Sequence, residues 1–331
     1  MIITKTPFRI SFVGGGSDLK RFYQNSPGAV LSTSIDKYMY ITSHRFFDEN
    51  KIRIKYSKTE TVDSVNQIQH PIAREVLKKF NMNGAIEISS GADIPSGTGM
   101  GSSSSFTVGM LHNLHTFSGR NVTKEQLASE ACEIEIDTLK EPIGKQDQYA
   151  ASFGGLNIIK FYPNGKVEVE PINLAEETNT RLQNNLILFY LGNQREASSI
   201  LSEQNENMKE DEKVEILKKM VELVWDAKDA LCNNNLTEFG KILHRNWQLK
   251  QKLASKITTP FINEMYEKGI QNGAVGGKLL GAGGGGFLLF YCEKENREKL
   301  RLALHQLKEM KFKFDYEGSR IIYMGDEHEQ N

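Results

Sequence analysis

The chain has 331 residues, with 41 Lys+Arg against 42 Asp+Glu, a formal net charge of −1, 39% hydrophobic residues, 28 Gly and 8 Pro. This is the composition of a soluble globular protein of one large or two smaller domains, long enough to bury a core without metal or disulfide staples. The near-zero charge gives no field for nucleic acid or an anionic membrane surface, and no stretch approaches the roughly 20 apolar residues of a membrane span, so neither partner is expected.

The opening MIITKTPFRI lacks the apolar run of a secretory signal. Cys132, Cys232 and Cys292 lie far apart without CxxC or Cys/His spacing, which argues against a zinc site or a disulfide framework. A reducing cytoplasm is the expected compartment. Strands are expected at 2–4, 9–13, 38–44, 52–56 and 85–88, where Ile52, Ile54 and Tyr56 alternate as in a half-buried strand. From Phe106 the period turns helical, with Phe106, Met110, Leu111, Leu114 and Phe117 on one side and Gly119 as the stop. Thr123, three residues before Gln126, opens a second helix whose stripe is Leu127, Ala131 and Ile134. Strands return at 156–161 and 185–191. Helices follow over 205–232 and 236–252, then an N-cap at Thr259 with Pro260 in the first turn and a C-terminal cap at Gly273. Strands near Lys278 and at 287–291, a helix over 296–310, and strands at 312–316 and 320–324 complete the pattern. The order is α+β, and the polar stretch 175–185 places a division there, giving expected domains over 1–180 and 181–331.

Three glycine-rich segments carry the chemical signal. Pro95-Ser-Gly-Thr-Gly-Met-Gly-Ser-Ser-Ser-Ser105 runs directly into the Phe106 helix. Glycines let backbone approach a ligand and a helix N-terminus offers unpaired N–H groups, so this segment reads as a phosphate cradle in which a serine hydroxyl can also meet Mg2+; the bland alternative is a Gly/Ser linker. No Gly-Lys pair followed by Ser or Thr occurs, which excludes the Walker pattern. The run 281–286 formally matches GxGxxG, but it precedes a strand, not a helix, so it marks close backbone approach and not a dinucleotide fold. Near the start, PFRISFVGGGSD ends a strand in three glycines followed by Ser17 and Asp18: either a hairpin turn or a site where Asp18 accepts from sugar hydroxyls. Arg9, inside an apolar strand, needs an anionic partner if buried.

Two carboxylates stand out. Glu135 continues the stripe of Leu127 and Ala131, so it is either a buried ion pair or helix-end hydrogen bond, or a metal ligand. Asp147, in PIGKQDQ, is either a helix cap or the acceptor of a hydroxyl proton in a phosphotransferase, with Lys145 near enough in sequence to hold it ionised.

Taken together, the segments 7–18, 95–105 and 278–286 resemble, in order and spacing, the three motifs of the GHMP kinases, the family named for galactokinase, homoserine kinase, mevalonate kinase and phosphomevalonate kinase. The resemblance implies a ribosomal-protein-like N-terminal domain, a ferredoxin-like C-terminal domain, and ATP and substrate between them. Carried over by position, it implies Asp147 as catalytic base and Arg9 as stabiliser of transition-state charge. ATP would lie against Pro95, Gly97, Thr98, Gly99, Met100, Gly101, Ser102, Ser103 and Ser104, with Mg2+ on Ser103 and Glu135. Gly15, Gly16, Ser17, Asp18, Gly284, Gly285 and Arg195 are the implied substrate contacts. Gly15 and Gly16 stand where galactokinases have Glu-His, which speaks against galactose. The first motif, with residues 192–204 (GNQREASSILSEQ) and 243–247 (LHRNW), is most similar to the branch that phosphorylates the anomeric hydroxyl of a heptose 7-phosphate. Such a small-molecule sugar phosphate needs a cation, for which Arg195, Arg245 and Lys250 are candidates.

Overall fold

A computed structural model describes residues 1–192 and 197–325. Its strands in chain order are β1 (Ile2–Val13), β2 (Gly28–Arg45), β3 (Ile52–Lys55), β4 (Thr59–Val62), β5 (Ile86–Ala92), β6 (Leu156–Phe161), β7 (Val167–Pro171), β8 (Leu186–Tyr190), β9 (Ala274–Leu279), β10 (Phe287–Cys292), β11 (Lys308–Glu309) and β12 (Arg320–Met324). The helices are α1 (Lys20–Tyr23), α2 (Pro71–Lys79), α3 (Ser102–Phe117), α4 (Lys124–Cys132), α5 (Gln146–Phe153), α6 (Glu176–Asn185), α7 (Ala197–Asn207), α8 (Asp211–Cys232), α9 (Leu236–Lys250), α10 (Pro260–Gln271) and α11 (Arg297–Ala303). Among the described residues no helix is long and apolar enough to cross a membrane.

The first sheet runs β12-β1-β2-β5-β3-β4, with β6 on β2 and β7 on β6. Strand β2 is 18 residues long because it serves two neighbours on one edge: residues 28–33 pair with β6 and residues 39–45 with β5. The expected strand at 38–44 is therefore only its second half. Buried Ser32, Thr33 and Ser34 hide the first half from a hydrophobic pattern. The second sheet, β11-β8-β10-β9, is antiparallel throughout. Helices connect β8 to β9 and β10 to β11, so this half has the ferredoxin-like βαββαβ order.

Several expectations are corrected here. The polar stretch 176–185 is helix α6, held by buried Leu182, so a division at 180/181 falls inside an element. Strand β12, expected in the second domain, pairs with β1 from Ile2–Met324 to Lys5–Arg320 and extends the first sheet. The helix expected over 205–232 is two, α7 and α8, with a tight turn at Glu206–Glu210 between them. Helix α11 stops at Ala303, and 312–316 supplies one bridge, Phe314 to Ile35, in place of a strand.

Both sheets share a core. Phe8, Ile10 and Phe12 of β1 cluster with Leu188 of β8, Leu289 and Tyr291 of β10, and Phe239 and Leu243 of α9. Phe12 meets Phe239 edge to face, with ring centroids 5.4 Å apart, a favoured aromatic geometry. A polar tie reinforces it: the buried amine of Lys278 on β9 donates to the carbonyls of Ser11 (2.6 Å) and Phe12 (3.0 Å) on β1. Burial, with the charges of Lys250 and Arg9, holds that amine well below its ordinary pKa. Strand β1 thus belongs to both halves and fixes the cleft between them. Phe239→Ala should lower unfolding free energy by about 3–5 kcal/mol in urea denaturation; a loss under about 1 kcal/mol would show that the shared packing does not bind the halves together.

Candidate active site

A cavity of about 340 Å3 opens where the end of β1, the starts of α3 and α5, helix α7 and the last residue of α9 converge. Arg9 projects into it from β1. Its Nε donates to Asp147 Oδ1 at 2.7 Å, Nη2 to Oδ2 at 2.9 Å, and Nη1 to the Gly99 carbonyl at 2.7 Å. At 4% exposure the guanidinium has lost nearly all of its water, and the bidentate carboxylate supplies the counter-charge that burial demands. Lys145 does not play this part. Its Nζ donates to the Gly165 carbonyl at 2.9 Å and lies over the Tyr23 ring.

The glycine loop ends at Gly101, which caps α3 in the left-handed conformation (φ 76°) and offers no side-chain acceptor to the first turn. The helix starts at Ser102, four residues earlier than its apolar period suggests, so Ser102, Ser103 and Ser104 form its first turn. N–H groups in such a turn suit an anion. The third glycine run packs backbone on backbone against this loop: a Cβ on Gly281 would stand 2.3 Å from Gly99 Cα. No side chain fits between them.

Behind the serines lies Glu135, in a π-helical turn (Glu133–Thr138) and fully buried. It accepts from Ser103 Oγ (2.7 Å), Ser104 Oγ (2.9 Å) and Gln148 Nε2 (2.7 Å). Burial pushes its carboxyl pKa up, against these three donors. Among the described residues no group of three or more His, Cys, Asp or Glu side chains could hold a metal. One hydroxyl and one carboxylate are hard oxygen donors, however, and suit an ion such as Mg2+ that takes its remaining ligands from water and phosphate.

Asp18 faces the same cavity, accepting from the Gly16 N–H (3.0 Å) and Gln146 Nε2 (3.1 Å) on Oδ1 and from the Gln146 N–H (3.3 Å) on Oδ2. Burial raises its pKa, and the nearby Asp147 charge adds to the shift. Lys250 closes the far wall with Nζ donating to the Gly281 carbonyl. Among the described lining residues it is the one cation without a carboxylate partner.

The structure thus gathers Arg9, Gly15, Gly16, Asp18, Gly97, Gly99, Gly101, Ser102, Ser103, Ser104 and Asp147 around one space, with Glu135 directly behind. Other expected contacts do not reach it. Ser17 is locked into the turn, donating to the Gly14 carbonyl and bonded to Ala29. Thr98 and Met100 are buried beneath the loop, and Pro95 lies outside the lining. Gly284 and Gly285 are buried, with the Gly284 N–H donating to the Ile257 carbonyl; Gly281 and Ala282 line the cavity instead. Arg195 lies outside the described residues. Arg245 is exposed and paired with Glu238. Ser11, Gln146 and Gln204 line the cavity as well; each falls within a motif segment, Ser11 in 7–18, Gln146 beside Asp147 and Gln204 at the end of 192–204, but the sequence assigns none of them a role.

An anion cradle facing a paired carboxylate across a two-lobed cleft is the architecture of a phosphotransferase. The profile described as GHMP kinases N terminal domain matches residues 66–155, and that described as GHMP kinases C terminal matches residues 227–309. The chain belongs to the GHMP kinase family and has its two-domain fold; it is a phosphotransferase that acts on an alcohol group. It is 28% identical over 316 residues to D-glycero-alpha-D-manno-heptose 7-phosphate kinase of Campylobacter jejuni, covering 92% of this chain and 93% of that one. Galactokinase of Pyrococcus furiosus is 24% identical, covering 97% of each. In fold, a crystal structure of a D-glycero-D-manno-heptose 1-phosphate kinase from Bacteroides thetaiotaomicron superposes with a TM-score of 0.80 at 24% identity, covering 98% of this chain and all of that one.

Lys250 generates a stability prediction. Burial first, then the Arg9 charge, moves its amine down to about 8 from 10.5, with Asp18 and Asp147 opposing. Below both values the folded state carries the full cost of the buried charge; between them only the unfolded chain keeps the proton, so unfolding free energy rises with pH. Relative to Lys250→Met, the wild type should gain on the order of 3 kcal/mol from about pH 7 to 10.5. Urea unfolding of both proteins across that range measures it, and parallel curves would show that Lys250 keeps its proton in the folded state throughout.

Proposed function

We propose that the protein is an ATP-dependent kinase that phosphorylates the anomeric hydroxyl of D-glycero-α-D-manno-heptose 7-phosphate, giving the 1,7-bisphosphate. One observation carries phosphoryl transfer at this site: the Arg9–Asp147 pair adjoins the head of α3, since a Cβ on Gly101 would lie 3.2 Å from Asp147 Oδ2. A hydroxyl acceptor and a triphosphate can therefore meet between them. The heptose 7-phosphate is supported by the name of the Campylobacter jejuni relative and its coverage of both chains.

Asp147 accepts the acceptor's hydroxyl hydrogen and takes the proton as a bond forms from that oxygen to the γ-phosphorus; the bond from the γ-phosphorus to the β,γ-bridging oxygen breaks and ADP leaves. Arg9 fixes both oxygens of Asp147 and keeps its guanidinium beside the developing negative charge. Residues 97–104 receive the phosphates through backbone N–H groups at the N-terminus of α3. Ser103 and Glu135 would hold Mg2+, which when bound neutralises phosphate oxygens. Catalysis here is positioning and electrostatics, without a covalent enzyme intermediate.

One observation favours a second reading, a 1-kinase for an unphosphorylated sugar. Lys250, the lining cation without a carboxylate partner, shares the cavity with Arg9, Asp18 and Asp147, which in this reading places it to serve the transferred phosphoryl group instead of a phosphate on the sugar. A panel of heptose, fucose, galactose and uronic acid, with and without terminal phosphate, assayed for ADP release and product position, separates the two. Activity confined to unphosphorylated sugars would remove the heptose 7-phosphate. Asp147→Asn should cut turnover by about 100-fold or more while nucleotide affinity by calorimetry stays within about threefold; full turnover in a folded variant would take Asp147 out of the chemistry.

A further inference from the structure

Three residues that line the cavity each carry a buried polar atom without a hydrogen-bond partner: Ser11 Oγ, Gln146 Oε1 and Gln204 Nε2. Buried polar atoms are nearly always paired, so three orphans lining one space point to partners supplied by a ligand. They surround the Gly15–Gly16 turn. A Cβ on Gly15 would stand 3.5 Å from Ser11 Oγ and 3.9 Å from Gln146 Nε2, and one on Gly16 only 2.3 Å from Gln204 Nε2.

The two walls differ in chemistry. On one side Gln146 directly precedes Asp147, and its own Nε2 is spent on Asp18, which leaves Oε1 as an acceptor. Facing it, Gln204 presents an amide N–H from α7 at 2% exposure. That helix is well anchored. Ile200 is packed in the core, the Asn205 carbonyl accepts from Arg21, the Ser255 N–H donates to Glu203, and Asn207 donates to the Leu253 carbonyl. The amide is thus held in place before anything binds. Free acceptors near the carboxylate of Asp18 repel a phosphate, but a hydroxyl, which both donates and accepts, satisfies both walls.

We propose that Gln204 is a specificity-determining residue whose amide N–H donates to a ring hydroxyl of the acceptor, with Ser11 Oγ and Gln146 Oε1 engaging hydroxyls of the same ring. The inference rests on reading the cavity as a sugar kinase site. It adds which side-chain atoms meet the ring hydroxyls, and that any phosphate on the sugar points away from those atoms.

The test is steady-state kinetics of wild type and Gln204→Leu with D-glycero-D-manno-heptose 7-phosphate and its ring monodeoxy analogues, with thermal unfolding of each protein. Gln204→Leu should raise the sugar KM about tenfold, the effect of one hydrogen bond, with kcat and the ATP KM within about threefold. Wild type should disfavour one deoxy analogue, and that preference should vanish in the variant. An unchanged sugar KM with all deoxy preferences intact overturns the inference and leaves the kinase function standing. Should wild type turn over none of these sugars, the heptose reading falls, and this inference with it. If Gln204→Leu does not fold, Gln204→Asn withdraws the amide by one carbon and is read in the same way. A purely structural role would shift the unfolding temperature and leave the deoxy preferences alone.

Discussion

Arg9 is a guanidinium in the middle of an apolar strand, between Phe8 and Ile10, and the rest of the site depends on how its charge is met. A buried cation without a partner would oppose folding by several kcal/mol. Three of its N–H groups reach Asp147 at the start of α5 and the Gly99 carbonyl in the glycine loop, so one side chain joins three segments remote in the chain. Moving any of the three would strand the charge. The same pairing that permits burial also aims the Asp147 carboxylate at the cavity. Stability and chemistry are met here by one set of hydrogen bonds.

Around that pair the cleft is built largely from backbone. The contact of Gly99 with Gly281 brings the two lobes together without side chains, and Lys250 reaches over it to the Gly281 carbonyl. Two buried amines, Lys250 and Lys278, share this region with Arg9, against the carboxylates of Asp18 and Asp147. Both amines are bonded to main-chain carbonyls. Burial disfavours the charge on each, and a phosphate entering the cleft would favour it again.

Much of this was legible in the sequence because its cause is local. Glycine runs before a helix, an arginine amid apolar neighbours and a carboxylate on a core-facing stripe each carry their physics within a few residues. The pairing of Arg9 with Asp147, by contrast, is long-range, and proximity in sequence pointed to Lys145, which turns instead to Gly165. The first half of β2 escaped notice because its inward residues include hydroxyls bonded to backbone, such as Ser34 to the Ala150 carbonyl. Gln204 ends the segment 192–204, but a glutamine on a helix is ordinary until the fold places Gly16 against it. The third glycine run does mark close backbone approach, Gly281 to Gly99, Gly283 to Ile257 and Gly286 to Thr98, while Gly284 and Gly285, the implied substrate contacts, are buried outside the cavity lining.

The pairing of β12 with β1 has a consequence for biosynthesis. Arg320 is made long after Lys5, so the strand that carries Arg9 waits for its outer neighbour while all the residues between them are synthesised. Contacts this distant in sequence form slowly. A nascent chain stalled before β12 would expose an unpaired edge over Ile2–Lys5, a surface prone to association with other unfinished chains.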